Sequence, residues 1–236
     1  MDHPIRTVTL TILALAASAV GCSHEEPKPG YAMAFSDVER FAKEFDDPRR
    51  DEWQRPDEVI AALHLTPDAK VLDLGSGTGY FTVKLARFLE HGRVYGQDTE
   101  PRMTAYLEAR AKNESLANIR ALTVPTSGQK TPELVDAVLV VDTYHHMDDR
   151  VAYFTALRSS LKPNALVAIV DFKLDAPVGP PVAHRVTAEA VKAELGAAGF
   201  ILASTTELPY QFMLVFRSGS VPPATGSPAP SAAAAE

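Results

Sequence analysis

Two short stretches and one isolated carboxylate hold residue types at spacings that could do chemistry. Asp73-Leu74-Gly75-Ser76-Gly77-Thr78-Gly79 is a glycine loop with a carboxylate two positions before its first glycine. Glycines let backbone approach a ligand where a Cβ would collide. The spacing is G-x-G-x-G, whereas a dinucleotide fingerprint reads G-x-G-x-x-G and sets a pyrophosphate on a helix N-terminus. Asp73 repels a phosphate and suits a cationic ligand. Asp98 follows 23 residues after Gly75, at the spacing of an acidic residue that accepts from both hydroxyls of a ribose. The last stretch is Asp142-Thr143-Tyr144-His145-His146, in which His145 or His146 can take a proton near neutral pH. Each has a plainer alternative: a tight strand–helix turn in some other α/β protein for the glycines, and loop packing for the paired histidines.

The elements that must position these groups follow from hydrophobic rhythm. Short apolar runs at Lys70–Leu74, Arg93–Asp98, Ile119–Val124, Ala137–Asp142 and Ala165–Phe172 alternate with helical stretches at Tyr80–Glu90, Pro101–Asn113, Asp148–Leu161 and Thr187–Ala198. That alternation predicts βαβ units and a parallel sheet covered on both faces. Two further runs, Ile201–Glu207 and Gln211–Arg217, are separated only by Leu208-Pro209-Tyr210, so they must form an antiparallel hairpin. The expected fold is α/β: a doubly wound, seven-stranded sheet, mostly parallel with an antiparallel C-terminal hairpin and helices on both faces. The glycine loop then lies between the first strand and first helix, at the carboxyl edge where such sheets place ligands. Asp142 and the histidines follow the fourth strand at the same edge.

The glycine loop resembles motif I of class I S-adenosylmethionine-dependent methyltransferases, and the likeness extends over nearly the whole folded region. Val135-Asp136-Ala137-Val138-Leu139-Val140-Val141-Asp142 is similar to the fourth-strand motif, and Leu161-Lys162-Pro163-Asn164-Ala165 to the turn before the fifth strand, with Asn164 and Ala165 replacing two glycines. The resemblance implies S-adenosylmethionine as cofactor, a donor with no phosphate and with a cationic ammonium and sulfonium. It assigns Asp73, Gly75, Ser76, Gly77, Asp98 and Asp142 to donor binding. Thr126 or Ser127 replaces the acidic residue that often receives the adenine amino group. Arg55, in Trp53-Gln54-Arg55-Pro56, is either a partner of the methionyl carboxylate or a solvated surface arginine. Helices over Ser36–Phe45 and Pro56–His64 would cap the donor. His145 and His146 are the catalytic candidates.

No metal is expected. Asp142 and Asp171 stand where catechol-type O-methyltransferases hold magnesium, but Phe172 replaces that family's metal-binding Asn and its catalytic Lys is missing. His184 and Arg185, in the proline-rich loop after the fifth strand, could reach an acceptor. The Asn/Asp-Pro-Pro-Tyr motif of adenine and glutamine N-methylation is absent, as is the Gly-Gly-Gly-Asp-Gly loop of aminopropyl transfer. The expected partner is a small-molecule acceptor.

Composition sets the outer limits. With 236 residues, 46% hydrophobic and 22% charged, the chain can bury one sizeable core. A net charge of −7 without a basic stripe argues against nucleic acid. One cysteine excludes an internal disulfide and a multi-cysteine zinc site. Residues 1–22 read as a lipoprotein-type signal: Arg6, an apolar stretch from Val8 to Val20, and Ala19-Val20-Gly21-Cys22, which resembles a lipobox. A lipid on Cys22 would give membrane contact at the cell envelope; without a working signal the protein is expected in the cytoplasm. A polar tether over 23–34, the folded domain over 35–217 and a Pro/Ala-rich tail over 218–236, expected to be disordered, complete the division. Because the donor is made in the cytosol, an exported inactive binding module on the same fold is the competing reading.

Overall fold

The computed structural model describes residues 38–128 and 130–219. Cys22, the tether and residues 220–236 of the tail lie outside the described residues. The elements run in chain order as α1 (Val38–Phe45), α2 (Arg50–Gln54), α3 (Pro56–Ala61), β1 (Lys70–Leu74), α4 (Tyr80–Phe88), β2 (Arg93–Asp98), α5 (Pro101–Asn113), β3 (Ile119–Thr123) and β4 (Val135–Val141). Then come α6 (Arg150–Leu157), β5 (Leu161–Phe172), α7 (Ala188–Ala197), β6 (Phe200–Glu207) and β7 (Gln211–Ser218). Short 3₁₀ turns sit at Tyr144–His146, Arg158–Ser160 and Val182–His184.

One seven-stranded sheet carries the order β3-β2-β1-β4-β5-β7-β6. The first five strands are parallel, and β7 is antiparallel to both β5 and β6. This is the expected fold. β4 lies at the centre, and its alternation divides the core. Val138 and Val140 face α6 and α7 with Phe154, Leu157, Val191 and Leu195, while Ala137, Leu139 and Val141 face α3 and α4 with Ile60, Phe81 and Leu85. Strands buried on both faces read as continuous apolar runs, which is why Val-Asp-Ala-Val-Leu-Val-Val shows no period of two. α5 packs on β2 and β3. No helix among the described residues is long and apolar enough to cross a membrane.

Several details differ from expectation, three of them instructive. β5 begins at Leu161, four residues early: Leu161 pairs with Val135, the register shifts, and Leu166 pairs with Ala137. The expected turn is therefore an excursion within the strand, with Asn164 left-handed at φ 64° and the Lys162 ammonium 2.8 Å from Asp136. Ionic pairing and a left-handed Asn stabilise this excursion without ending the ladder. α6 starts at Arg150 because the histidine turn and a left-handed Asp149 (φ 43°) occupy the preceding residues. α2 was not anticipated from the charged run Asp46-Asp47-Pro48-Arg49-Arg50-Asp51, which carries no apolar period. Arg55, at φ 50°, is both the C-cap of α2 and the N-cap of α3, and makes the corner between them before Pro56.

Candidate active site

The carboxyl edge of β1, β2, β4 and β5 opens into one cavity of about 1020 Å³. Small-molecule pockets run from about 300 to 1,000 Å³, so there is room for two ligands side by side. The glycine loop, Asp73, Asp98, Thr126 and Ser127 line one end; His145, His146, Trp53 and Phe172 line the other, and Asp142 and Arg50 lie on the wall as well.

At the first end, the loop conformation requires its glycines. Gly75 and Gly77 have φ of 78° and 52°. A Cβ on Gly75 would lie 2.1 Å from Thr143 Oγ1, so this glycine admits the loop after β4 as well as a left-handed turn. The Gly75 and Ser76 amides both donate to the Gln97 carbonyl, at 2.8 and 2.9 Å, fastening the loop to β2. Asp98, at the end of β2, accepts from the Gly77 amide (2.9 Å) on one oxygen and from the Glu100 amide (2.9 Å) on the other. Each oxygen keeps a lone pair for a further donor. Burial pushes the Asp98 carboxyl up. Asp73 accepts from Thr82 Oγ1 at 2.5 Å, and burial raises its pKa to about 6.

Asp142 follows β4 with φ 54°. Its carboxylate receives Arg50 Nη2 at 2.9 Å and the Gln211 side-chain amide. Burial raises its pKa to about 6 against the pull of the Arg50 charge. Arg50 also donates to Gln54 Oε1 (3.0 Å) and the Phe45 carbonyl (3.1 Å), and lies 4.2 Å from the centre of the Tyr80 ring. Gln54, fully buried, bonds Gln211. This network ties the N-terminal helices to the sheet edge.

At the second end, His145 is buried, with Nδ1 2.9 Å from Asp171 Oδ1, and its ring centre lies 4.2 Å from that of His146. Asp171 is fully buried behind His145 and does not reach the cavity. Trp53 packs 5.8 Å from Phe172 and 5.9 Å from Tyr210, giving this end aromatic walls.

The sequence-expected residues Asp73, Gly75, Ser76, Gly77, Asp98, Thr126, Asp142, His145 and His146 all meet in this cavity. Arg55 does not: the left-handed corner turns it outward, and its side chain is exposed. Arg50, one turn earlier, stands in the wall instead. Arg185 touches no cavity surface; it donates to the carbonyls of Lys173, Leu174, Ala176, Val178 and Pro180, stapling the loop after β5. The two carboxylates considered for magnesium do not fit it. Asp171 meets His145 and the Phe172 amide, Asp142 meets Arg50 and Gln211, and no cluster of three or more metal-binding side chains occurs among the described residues. Arg50, Gln54 and Gln211 escaped sequence reasoning because their roles depend on contacts across the chain.

The donor end fits S-adenosylmethionine. Asp73 and Asp142 offer negative charge to its ammonium, and Asp98 offers acceptors to its ribose. Ser76 Oγ and Thr78 Oγ1 line the same wall, buried, with no hydrogen-bond partner among the described residues, as expected of donors turned toward a ligand. Fold and site together have the features expected of a class I, S-adenosylmethionine-dependent methyltransferase domain.

Comparison with known proteins agrees. Residues 71–164 match the family described as "Methyltransferase domain". A S-adenosylmethionine-dependent methyltransferase from Aquifex aeolicus superimposes with a TM-score of 0.72 at 26% identity, covering 79% of this chain and all of that one. A TehB-like methyltransferase from Corynebacterium glutamicum shares the fold at 15% identity (TM-score 0.60, 77% of this chain and 97% of that one). Among curated relatives, a ubiquinone biosynthesis O-methyltransferase from Cereibacter sphaeroides is 32% identical over 98 residues, 42% of this chain and 39% of its own length. A (S)-coclaurine N-methyltransferase from Thalictrum flavum is 30% identical over 77 residues, 33% of this chain and 21% of its own. The chain thus spans two-fifths or less of the length of these curated relatives.

Proposed function

We propose that the protein transfers a methyl group from S-adenosylmethionine to a small-molecule acceptor by in-line displacement. The observation that carries this is one cavity lined both by the glycine loop with its carboxylates and by paired histidines with aromatic rings. When bound, S-adenosylmethionine supplies an electrophilic methyl on a sulfonium. Holding an acceptor against that methyl provides most of the acceleration, since positioning alone is worth as much as about 7–11 kcal/mol. Asp73, the glycine loop and Asp98 hold the donor, with Thr126 or Ser127 at the adenine. Asp142 takes the ammonium and Arg50, in the place first considered for Arg55, the carboxylate. The turn bearing His145 and His146 faces the acceptor.

Titration calorimetry with S-adenosylmethionine and with its demethylated product tests donor binding. A folded sample giving no heat with either ends the proposal. Turnover of a panel of phenols, quinones and amines with labelled donor then separates an enzyme from an inactive binding module. Cys22 is read as the lipid attachment point; labelled palmitate should enter the wild type and not Cys22→Ala, and an unlabelled wild type removes that reading.

A further inference from the structure

Asp171 fixes which proton His145 carries. Its Oδ1 accepts the Phe172 amide at 2.8 Å and lies 2.9 Å from His145 Nδ1; its Oδ2 accepts the His145 amide at 3.2 Å and lies 3.1 Å from Nδ1. A carboxylate already receiving two backbone N–H groups meets the ring as an acceptor. The hydrogen therefore sits on Nδ1, and the neutral ring keeps its lone pair on Nε2. His145 is among the residues that line the cavity, and its ring lies beside Phe172 (6.4 Å, edge to face) and, beyond it, Trp53. The His146 ring packs against the His145 ring at a tilt, with the centres 4.2 Å apart.

Resting on the methyltransferase reading above and deepening it, we propose that His145 is the general base for an acceptor hydroxyl carried on an aromatic ring, with Asp171 its positioning residue. The acceptor oxygen bonds to the methyl carbon as the carbon–sulfur bond breaks, its electron pair staying on sulfur. The hydroxyl proton passes to Nε2, and the imidazolium, stabilised by Asp171, returns it to solvent. The products are an aryl methyl ether, a neutral thioether and one proton. A phenol, with an ordinary pKa near about 10, is protonated at neutral pH and needs this base. A neutral amine attacks with its own lone pair and does not. Trp53 and Phe172 give the acceptor ring apolar, aromatic walls.

The test compares phenols of graded acidity. Asp171→Asn turns an amide N–H toward Nδ1 and forces the wrong tautomer. Turnover of an ordinary phenol should fall by about 10²-fold or more, with donor Kd and acceptor KM unchanged. A nitrophenol already ionised at the assay pH should lose almost nothing. Where Asp171→Asn does not fold, His145→Gln repeats the comparison. Equal losses for ionised and protonated phenols, or turnover of amines and of no phenol, overturn the proposal. Failure of donor calorimetry in the wild type overturns the underlying methyltransferase reading instead.

Discussion

Arg185→Ala should open the loop after β5 while leaving the sheet and donor end intact. Arg185 is half-buried and donates Nε to the Pro180 carbonyl (2.8 Å), Nη1 to those of Lys173 (2.7 Å), Leu174 (3.2 Å) and Ala176 (2.8 Å), and Nη2 to that of Val178 (3.0 Å). Hydrogen bonds from a charged group contribute about 1.5–3 kcal/mol each when buried. Here most of the carbonyls can rehydrate once the loop opens, so the sum is far below five full bonds. Only the bond to buried Pro180 is taken at the charged value, at its lower end of about 1.5–2 kcal/mol, and the others together add a similar amount. About 3–4 kcal/mol then favours the closed loop, and its removal raises the opening constant by about 10²- to 10³-fold. Hydrogen exchange reads this directly at the amides of Ala176, His184 and Arg185, which donate within the loop to Lys173, Pro181 and Val182. Those amides should exchange at least about 100-fold faster, while amides of β4 stay as they were. Acceptor KM should rise, because Val178, Pro180 and Pro181 line that end of the cavity, and donor Kd should not move. Arg185→Lys should recover only part of the protection, since an ammonium cannot fork across so many carbonyls. Unchanged exchange in the loop, or donor affinity falling along with acceptor binding, would refute the reasoning.

Three further outcomes are expected. Asp98→Ala removes acceptors for both ribose hydroxyls, and at about 1.5 kcal/mol or more for each charged hydrogen bond donor Kd should rise by about 10²-fold; an unaltered calorimetric Kd removes Asp98 from the donor site. Asp73, raised to about 6 by burial, must be ionised to attract a cation, so donor affinity should weaken below pH 6, by up to about tenfold per pH unit. The sign is opposite for the ligand-free fold: the folded carboxyl holds its proton more tightly than the unfolded one (about 3.9), so this group favours folding more as pH falls between about 4 and 6, and melting scans with and without donor should diverge there. Gly75→Ala brings a Cβ to 2.1 Å from Thr143 Oγ1 at φ 78°, costing about 1–2 kcal/mol for the left-handed backbone and about 1–3 for the clash. Adding Thr143→Gly should restore the clash portion alone, as judged by urea midpoints.

What the sequence made legible is what depends on neighbours in the chain. The alternation of β1 to β5 with helices, the hairpin forced by Leu208-Pro209-Tyr210 and the glycine loop are all written within a few residues, and the sheet order follows from connection rules. Arg50 was hidden for the opposite reason. It lies in a charged run that reads as a solvated surface, and it became a wall residue only because left-handed Arg55 folds α2 back over Asp142, 92 positions away. Asp171 was visible as a carboxylate at a strand end, but its partner was not, because a metal and a histidine ask for the same residue there. Arg185 was likewise visible as a charge on a proline-rich loop; its carbonyl partners lie up to 12 positions back.

The same division explains how the relatives align. The family match ends at residue 164, having covered β1 to β4 and the donor loops. It ends before Asp171, Phe172 and the loop stapled by Arg185, and begins after Arg50 and Trp53. One of the matched relatives is named as an N-methyltransferase and another as an O-methyltransferase, so the likeness does not select the acceptor atom. In the proposed reading donor recognition uses the glycine-loop backbone, the carboxylates Asp73, Asp98 and Asp142 and the Arg50 guanidinium. In the proposed reading the acceptor end is assembled from the turn after β4 and the loop after β5, each held by its own contacts: Asp171 to His145, Arg185 to its carbonyls. Among the described residues these two supports make no hydrogen bond to Asp98, so each can be altered without dismantling the ribose site. Substitutions that exchange one acceptor for another should therefore concentrate at Trp53, His145, Phe172 and residues 178–181, and should change acceptor KM and kcat at constant donor Kd.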